Sequence, residues 1–383
     1  MAEADASAFT ETSARLARQD VGLNKGHAMR TLAISLLWIM GLTMSPTTVI
    51  GAPIAHSLPG TPGEGAAWRP SLMLWEQPPK SGDRSRPVLY LHGSTFPSAL
   101  SILFALEGRS WADGLNDAGY NVFGLDFAGY GGSERYEGSD PAPPRGRTIE
   151  TVDQVERAVR FILRETGAQR VSIIAHSWGT MSAGRFAGKH PELVEKLVFF
   201  GPVAQRQGPR SDVVVPPHLD VTVEAQHARF VGSVPAGQAP VLIEGDFPRW
   251  ASAYLDSDDA SRTRTPASVR VPSGPQVDLA EAWSGQLPYD PSRISAPTLI
   301  VRGAWDPITQ DADAAWLKGA LSRSPLVQDV VVPRATHLMH LERGRFELHA
   351  ATEAFLASAS NSAATALSSR PSFSARPAAA GRP

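Results

Sequence analysis

Short apolar runs alternate with longer amphipathic ones through the middle of this chain. The short runs are "RPVLYLHG" (86–93), "YNVFGLDF" (120–127), "RVSIIAHS" (170–177), "KLVFFGP" (196–202), "APTLIVRGAWD" (296–306) and "VQDVVVP" (327–333). They are rich in β-branched and aromatic residues and short enough to be strands. Their near-continuous apolarity is what parallel strands covered by helices on both faces require. Between them, residues 110–118, 148–165, 178–190, 310–322 and 342–357 read as helices. Within 151–165, Val152, Val155, Val159, Ile162 and Leu163 recur at helical spacing and make one apolar face. The alternation predicts an α/β protein with a mostly parallel, doubly wound sheet and right-handed crossovers.

The pattern stops at Gly201 and resumes near Pro297. The intervening stretch is rich in Pro, Gly and charge, yet carries Phe230, Phe247, Trp250, Tyr254, Trp283 and Tyr289. That much exposed aromatic surface invites aggregation, so the stretch reads as a packed insertion rather than a loose surface excursion. Its expected place is over the C-terminal edge of the sheet, where ligands of such sheets bind. The expected layout is an N-terminal extension (1–55), a first core part (56–200), a cap (201–295), a second core part (296–358) and a tail (359–383). The tail is Ser, Ala and Pro with almost no large apolar residue, a composition that stays disordered.

Near the N-terminus, Arg15, Arg18, Lys25 and Arg30 precede the apolar run "TLAISLLWIMGL" at 31–42. The run is short of the roughly 20 residues a membrane span needs and suits the core of a signal peptide. Met29 is an alternative start, and Gly51, Ala52 and Ala55 are alternative cleavage positions. The expectation is a periplasmic or secreted protein with no stable membrane insertion after cleavage. An uncleaved anchor is the competing reading, weakened by Pro46, Gly51 and Pro53.

Composition narrows the partners. The chain has 42 % hydrophobic and 19 % charged residues, and its 36 basic and 38 acidic residues nearly cancel. That balance gives no reason to expect nucleic acid. With no cysteine, disulfides, zinc–thiolate centres and thiol catalysis are excluded.

The candidate chemistry centres on "IIAHSWGT" (173–180). Ser177 follows a predicted strand and precedes a predicted helix, hemmed in by the small residues Ala175 and Gly179. A nucleophilic serine on a sharp strand-to-helix turn needs small neighbours, and the helix opening at Trp178 aims N–H groups at developing negative charge. Taken alone, Ser177 equally suits a plain turn. A serine hydroxyl also needs a base and a carboxylate to orient that base. Asp306 ends the predicted strand "LIVRGAWD", and "RATHLMHLE" supplies His337 and, three residues on, His340. Asp306 alone also fits a helix cap, and the two histidines compete for one role.

Together these segments resemble the α/β-hydrolase superfamily, its capped serine hydrolases in particular, over about residues 66–358. "LHGS" (91–94) is similar to the family's H-G-x oxyanion turn, "DFAGYGGS" (126–133) to its D-x-x-G-x-G-x-S loop, and "GAWD" (303–306) to G-x-x-D. His337 with Glu342 five residues on resembles the segment of the family's histidine, with Thr336 in place of the common Gly. The resemblance implies a cap inserted after the sixth strand and a Ser177–His337–Asp306 triad. It places oxyanion-hole N–H groups at Ser94 and Trp178, with Thr95 a neighbouring choice, and gives Asp126 a structural role. It also implies two-step acyl transfer on a small-molecule ester, without metal or cofactor.

"HSWGT" is similar to proline iminopeptidases as well. Those carry H-G-G-P-G at the oxyanion turn, where this chain has H-G-S-T-F-P. Glu244 and Asp246 are the acids that would have to hold a free α-amine. A carboxylesterase or lipase-like enzyme for small to medium apolar esters is therefore the first expectation. An aminopeptidase is second, a lactonase or C–C bond hydrolase third, and a non-catalytic ligand binder on the same fold stands apart.

Overall fold

Each of the six apolar runs forms a strand, and each of the five amphipathic segments contains a helix, in the computed structural model, which describes residues 52–61, 69–136, 143–210 and 215–358. In chain order the first part of the core holds β1 (Ile54–Leu58), β2 (Leu72–Gln77), β3 (Pro87–Leu91), α1 (Trp111–Asp117), β4 (Asn121–Leu125), α2 (Thr148–Thr166), β5 (Val171–His176), α3 (Gly179–Lys189) and β6 (Val194–Phe200). Between β6 and the next core strand come β7 (His218–Thr222), α4 (Val223–Val231), α5 (Phe247–Asp256), β8 (Ser268–Pro272) and α6 (Gly274–Trp283). The core then closes with β9 (Thr298–Gly303), α7 (Asp311–Ala320), β10 (Val327–Val332) and α8 (Arg345–Ala357). The signal-like run at 31–42 and the tail at 359–383 lie outside the described residues. Among the described residues, no helix is long and apolar enough to cross a membrane.

The eight strands of the main sheet run in the order β1-β2-β4-β3-β5-β6-β9-β10. From β4 to β10 every pairing is parallel; β1 and β2 add an antiparallel edge. Alternate residues of the inner strands serve two cores. Leu89, Ile173, Leu197 and Phe199 pack on the face covered by α2 and α3. Val88, Tyr90, Ile174, Val198 and Val301 pack on the opposite face with Trp111, Leu348 and Phe355. Burial on both faces is why these strands read as unbroken apolar runs.

The antiparallel edge escaped that pattern for a physical reason. β1 is mostly exposed, and β2 carries Glu76 and Gln77, both buried. Burial alone would raise the Glu76 carboxyl, but hydrogen bonds from Arg84, Asn121 and His56 hold it below its ordinary value. β2 does have an apolar run, Leu72 to Trp75, but it is only four residues long and is closed by the buried polar pair Glu76 and Gln77.

The register brings the strand ends together. Leu91 pairs with Ala175, His176 with Phe200, Phe200 with Val301, and Gly303 with Val332. The segments leaving β3, β5, β6, β9 and β10 thus emerge along one edge of the sheet. The excursion between β6 and β9 packs across them. Its α4 and α5 form an aromatic cluster in which Trp250 lies 5.1 Å from Phe230, 5.2 Å from Tyr254 and 5.3 Å from Phe96 of the β3 loop. Trp250 Nε1 also donates to Leu100 O at 3.0 Å, and Arg343 N to Val241 O at 2.9 Å. These contacts tie the insertion to the core loops that carry the candidate chemistry.

Candidate active site

Ser177 sits between β5 and α3 with φ at +53°, a left-handed conformation that a non-glycine residue holds only under local strain. Surrounding bonds hold it there: Ser177 N donates to Phe200 O at 2.9 Å, and Thr180 Oγ1 donates to Ser177 O at 2.6 Å. Gly179 is required by close approach. A Cβ there would lie 2.5 Å from His92 O and 2.9 Å from Leu91 O, so the turn after β5 presses directly on the turn after β3. Gly93 completes the contact, since a Cβ on it would stand 3.3 Å from Ser177 Cβ.

The structure brings Ser177, Asp306 and His337 into one line. His337 Nε2 stands 2.7 Å from Ser177 Oγ, and Nδ1 stands 2.9 and 3.0 Å from the two Asp306 oxygens. A carboxylate only accepts, so Nδ1 carries the proton and Nε2 is left to accept from the serine hydroxyl. Asp306 is itself fixed: Oδ1 accepts from Ile308 N at 2.8 Å and Thr309 N at 3.1 Å. It does not cap the following helix. That task falls to Gln310 and Asp313, which form a capping box at the start of α7. All three residues of the line are buried, at 6–7 % exposure, so their interactions are little screened by water.

The turn after β3 is set by His92. Its Nε2 accepts from Phe127 N at 3.1 Å, so Nδ1 bears the proton it donates to Gly93 O at 2.6 Å. Burial pushes the imidazole down to about 4 and keeps it neutral. Among the described residues, the N–H groups of Ser94, Thr95 and Trp178 donate to no protein acceptor. Free backbone donors on two turns in contact with each other, beside a serine hydroxyl, are suited to stabilising an oxyanion.

Asp126 lies beneath this turn. It accepts from Ser98 N at 2.9 Å, Trp75 Nε1 at 3.0 Å and Gly132 N at 3.2 Å, while burial raises its carboxyl to about 6. Ser133 Oγ donates to Asp126 O at 2.5 Å, so the first and last residues of the D-x-x-G-x-G-x-S loop close on each other.

Of the two histidines, only His337 meets Ser177 and Asp306. His340 is buried with neither ring nitrogen hydrogen-bonded among the described residues, and burial drives it well below its ordinary value. His176 is a support: Nε2 is 3.0 Å from His337 O, and its ring stacks on Phe200 at 4.3 Å. Glu342 is folded back onto Thr336, accepting from its N–H at 3.2 Å and from its hydroxyl; burial raises the carboxyl to about 7. Thr336, which stands where a Gly is usual, thereby ties the loop before His337 to the segment that follows.

The Trp178 indole is fully buried, packed on Phe127 at 5.3 Å, and donates to Asp278 Oδ2 of α6 at 3.0 Å, so it is no wall of an acyl pocket. Asp278 also accepts from Thr148 N at 2.7 Å and pairs with Arg147, so it is a buried joint between insertion and core. Sequence reading missed Asp278 because its partners lie more than 90 residues away. Of the acids proposed for a free amine, Glu244 is exposed, while Asp246 pairs with Arg249 and accepts from Glu107 N at 2.7 Å. An apolar crevice lies between insertion and core, lined by Leu106, Phe230, Leu242, Phe247, Trp250 and Leu341.

A family model described as the alpha/beta hydrolase fold matches residues 86–344. Epoxide hydrolase 3 of Xenopus tropicalis is 23 % identical over 279 residues, covering 69 % of this chain and 70 % of that protein. The thioesterase domain from the curacin biosynthetic pathway superposes with a TM-score of 0.53 at 16 % identity, over 80 % of this chain and 99 % of that one. A serine hydrolase involved in carbazole degradation superposes with a TM-score of 0.52 at 18 % identity, over 80 % and 99 %. The relatives bear names from several chemistries but share one architecture, and the chain belongs to the alpha/beta hydrolase family.

Proposed function

We propose that this protein is a serine hydrolase that cleaves carboxylic esters through an acyl-enzyme. The observation that carries the reading is the unbroken line Asp306–His337–Ser177, with the strained serine next to backbone donors that have no partner among the described residues. Ser177 Oγ attacks the ester carbonyl carbon while His337 Nε2 takes its proton. The carbonyl oxygen, now an anion, is held by the N–H of Trp178 and that of Ser94, with Thr95 the neighbouring donor. Such donors typically contribute a few kcal/mol each to transition-state stability. Asp306 stabilises the imidazolium, which then protonates the departing alkoxide. In the second half His337 activates water, the acid leaves, and Ser177 regains its proton. The apolar residues that the insertion packs against the core loops, Phe230, Phe247 and Trp250 among them, are the side of the reading that favours an apolar acyl group.

An aminopeptidase is the second reading, favoured by "HSWGT" alone. It needs a free anion near the site for the substrate amine, and Asp246 and Asp278 are already engaged with arginines. Lactone or C–C bond hydrolysis and a non-catalytic ligand binder are alternatives on the same fold. Labelling with a fluorophosphonate, followed by p-nitrophenyl esters of graded chain length against proline p-nitroanilide, separates them. The expected result is covalent modification at Ser177 and turnover of the esters only. An unlabelled protein that turns over neither would overturn the proposal. Export through the 31–42 segment belongs to the same reading, and N-terminal sequencing of protein recovered outside the cytoplasm tests it by the residue at which the mature chain begins.

A further inference from the structure

Arg229, on α4 of the insertion, reaches the turn after β3 and, among the described residues, hydrogen-bonds only neutral partners. Its Nη1 donates to Thr95 Oγ1, and to Gln226 Oε1 at 2.9 Å; Gln226 Nε2 in turn donates to Thr95 O at 3.4 Å. Both hydrogen bonds of the guanidinium leave from Nη1. Nη2 and Nε, one edge of the fork, have no partner among the described residues. Other arginines of the insertion are matched: Arg249 pairs with Asp246, Arg262 with Asp256, Arg264 with Asp258 and Arg270 with Asp220.

The position is the informative part. Thr95 follows Ser94 directly in the turn after β3, so the guanidinium is anchored one residue from a proposed oxyanion donor. Its charge reaches the buried cluster behind the turn, where it adds to the burial and neighbouring imidazoles that keep His176 and His340 neutral. Burial also lowers Arg229 itself from its ordinary value. A half-buried cation whose hydrogen bonds go to neutral oxygens lacks a counter-charge, and an anion reaching its open edge supplies one. A planar fork with two adjacent donors free matches a carboxylate bidentately. Phe230, the next residue along α4, lines the apolar crevice, so one helix offers both an apolar wall and a cation.

We propose that Arg229 is a specificity-determining residue that binds a carboxylate carried by the acyl part of the substrate. This deepens the ester-hydrolase reading above and rests on it. The substrate class is then a half-ester of a dicarboxylic acid, or a longer acyl chain bearing an acid group, rather than a purely apolar ester. A positive charge here also works against a substrate with a free ammonium group.

The test compares p-nitrophenyl hemiglutarate, which is anionic, with p-nitrophenyl valerate, a neutral ester of matched length. It measures kcat/KM for the wild type, Arg229→Gln and Arg229→Lys. The ratio of anionic to neutral ester is expected to fall by roughly tenfold to a hundredfold in Arg229→Gln, the range of a lost charge-assisted hydrogen bond, and to recover in part in Arg229→Lys. Equal losses on both esters would mean that Arg229 only ties the insertion to the turn, and would overturn the proposal.

A second readout needs no turnover: calorimetric binding of monoethyl glutarate to Ser177→Ala, with and without Arg229→Gln. Arginine-dependent binding to Ser177→Ala, together with a wild type that hydrolyses neither ester, would sink the ester reading and keep the carboxylate site. Turnover of valerate with no dependence of binding or of the ratio on Arg229 would do the reverse.

Discussion

The two sides of the site are built from different materials. On the core side, around Ser177, the polar groups are fixed by partners: Asp306 by two backbone N–H groups, His337 by Asp306, and His92 by Phe127 and Gly93. On the insertion side are the aromatic rings of Phe230, Phe247 and Trp250 and one guanidinium with an open edge. A geometry held by short, buried hydrogen bonds tolerates little change, as the proposed acyl transfer requires. On the proposed reading, the rings and the single cation of the insertion can be altered while the hydrogen bonds of the core side stay in place. The difference teaches that reaction and substrate choice are separable in this fold, and each prediction below presses on one side only.

The largest effect is expected at the nucleophile. Ser177→Ala should lower ester turnover by about 10⁶-fold, the loss seen when a triad serine is removed, with the thermal melt unchanged. His337→Ala should behave alike and His340→Ala should not. Turnover near wild type in Ser177→Ala would move the chemistry off the core side altogether. Next comes Asp306→Asn, which keeps the shape but lets the imidazole take the wrong tautomer; steady-state kinetics should show a loss of about 10⁴-fold in kcat.

On the insertion side, Trp250→Ala removes a fully buried ring and its bond to Leu100 O. It should cost about 3–5 kcal/mol by chemical denaturation. It should also shift the preferred acyl chain length while fluorophosphonate still labels Ser177. Loss of labelling together with stability would show that the two sides are not separable.

The smallest effect concerns pH. Glu342 has its carboxyl raised to about 7 by burial. Below the ordinary glutamate range it is protonated both folded and unfolded. Between that range and about 7 the unfolded chain ionises while the folded chain keeps its proton, so stability falls as pH rises. Above about 7 the loss is complete. Melting temperatures from pH 4 to 8 should therefore show Glu342→Gln gaining on the wild type up to about pH 7 and then running parallel to it. A constant offset across that range would contradict the assignment.

Much of this was legible along the chain. Parallel strands buried on both faces announce themselves as apolar runs, and α2 shows its buried side through Val152, Val155, Val159 and Ile162. The small residues around Ser177 were equally legible, because close backbone approach restricts residue type in a way that composition records. The antiparallel edge was read less well: β1 is mostly exposed, and the apolar run of β2, Leu72 to Trp75, is short and ends in buried Glu76 and Gln77. The family resemblance favoured His337 over His340, a choice that local pattern alone leaves open between two residues of one type on one short turn.

The sequence by itself thus determined the order of the parallel strands and their helices, the position of the insertion, and the residue types available for the proposed chemistry. All of these follow from local periodicity and from turns that only certain residues can make. Tertiary structure alone decided which groups meet. The alignment of strand ends brings Ser177 within hydrogen-bond reach of a histidine 160 residues on. Packing of the insertion turns the Trp178 indole onto Asp278 and leaves Arg229 with an open edge beside Thr95. Hydrogen bonds and ion pairs act over a few ångströms of space, and separation along the chain carries no record of which groups will come that close.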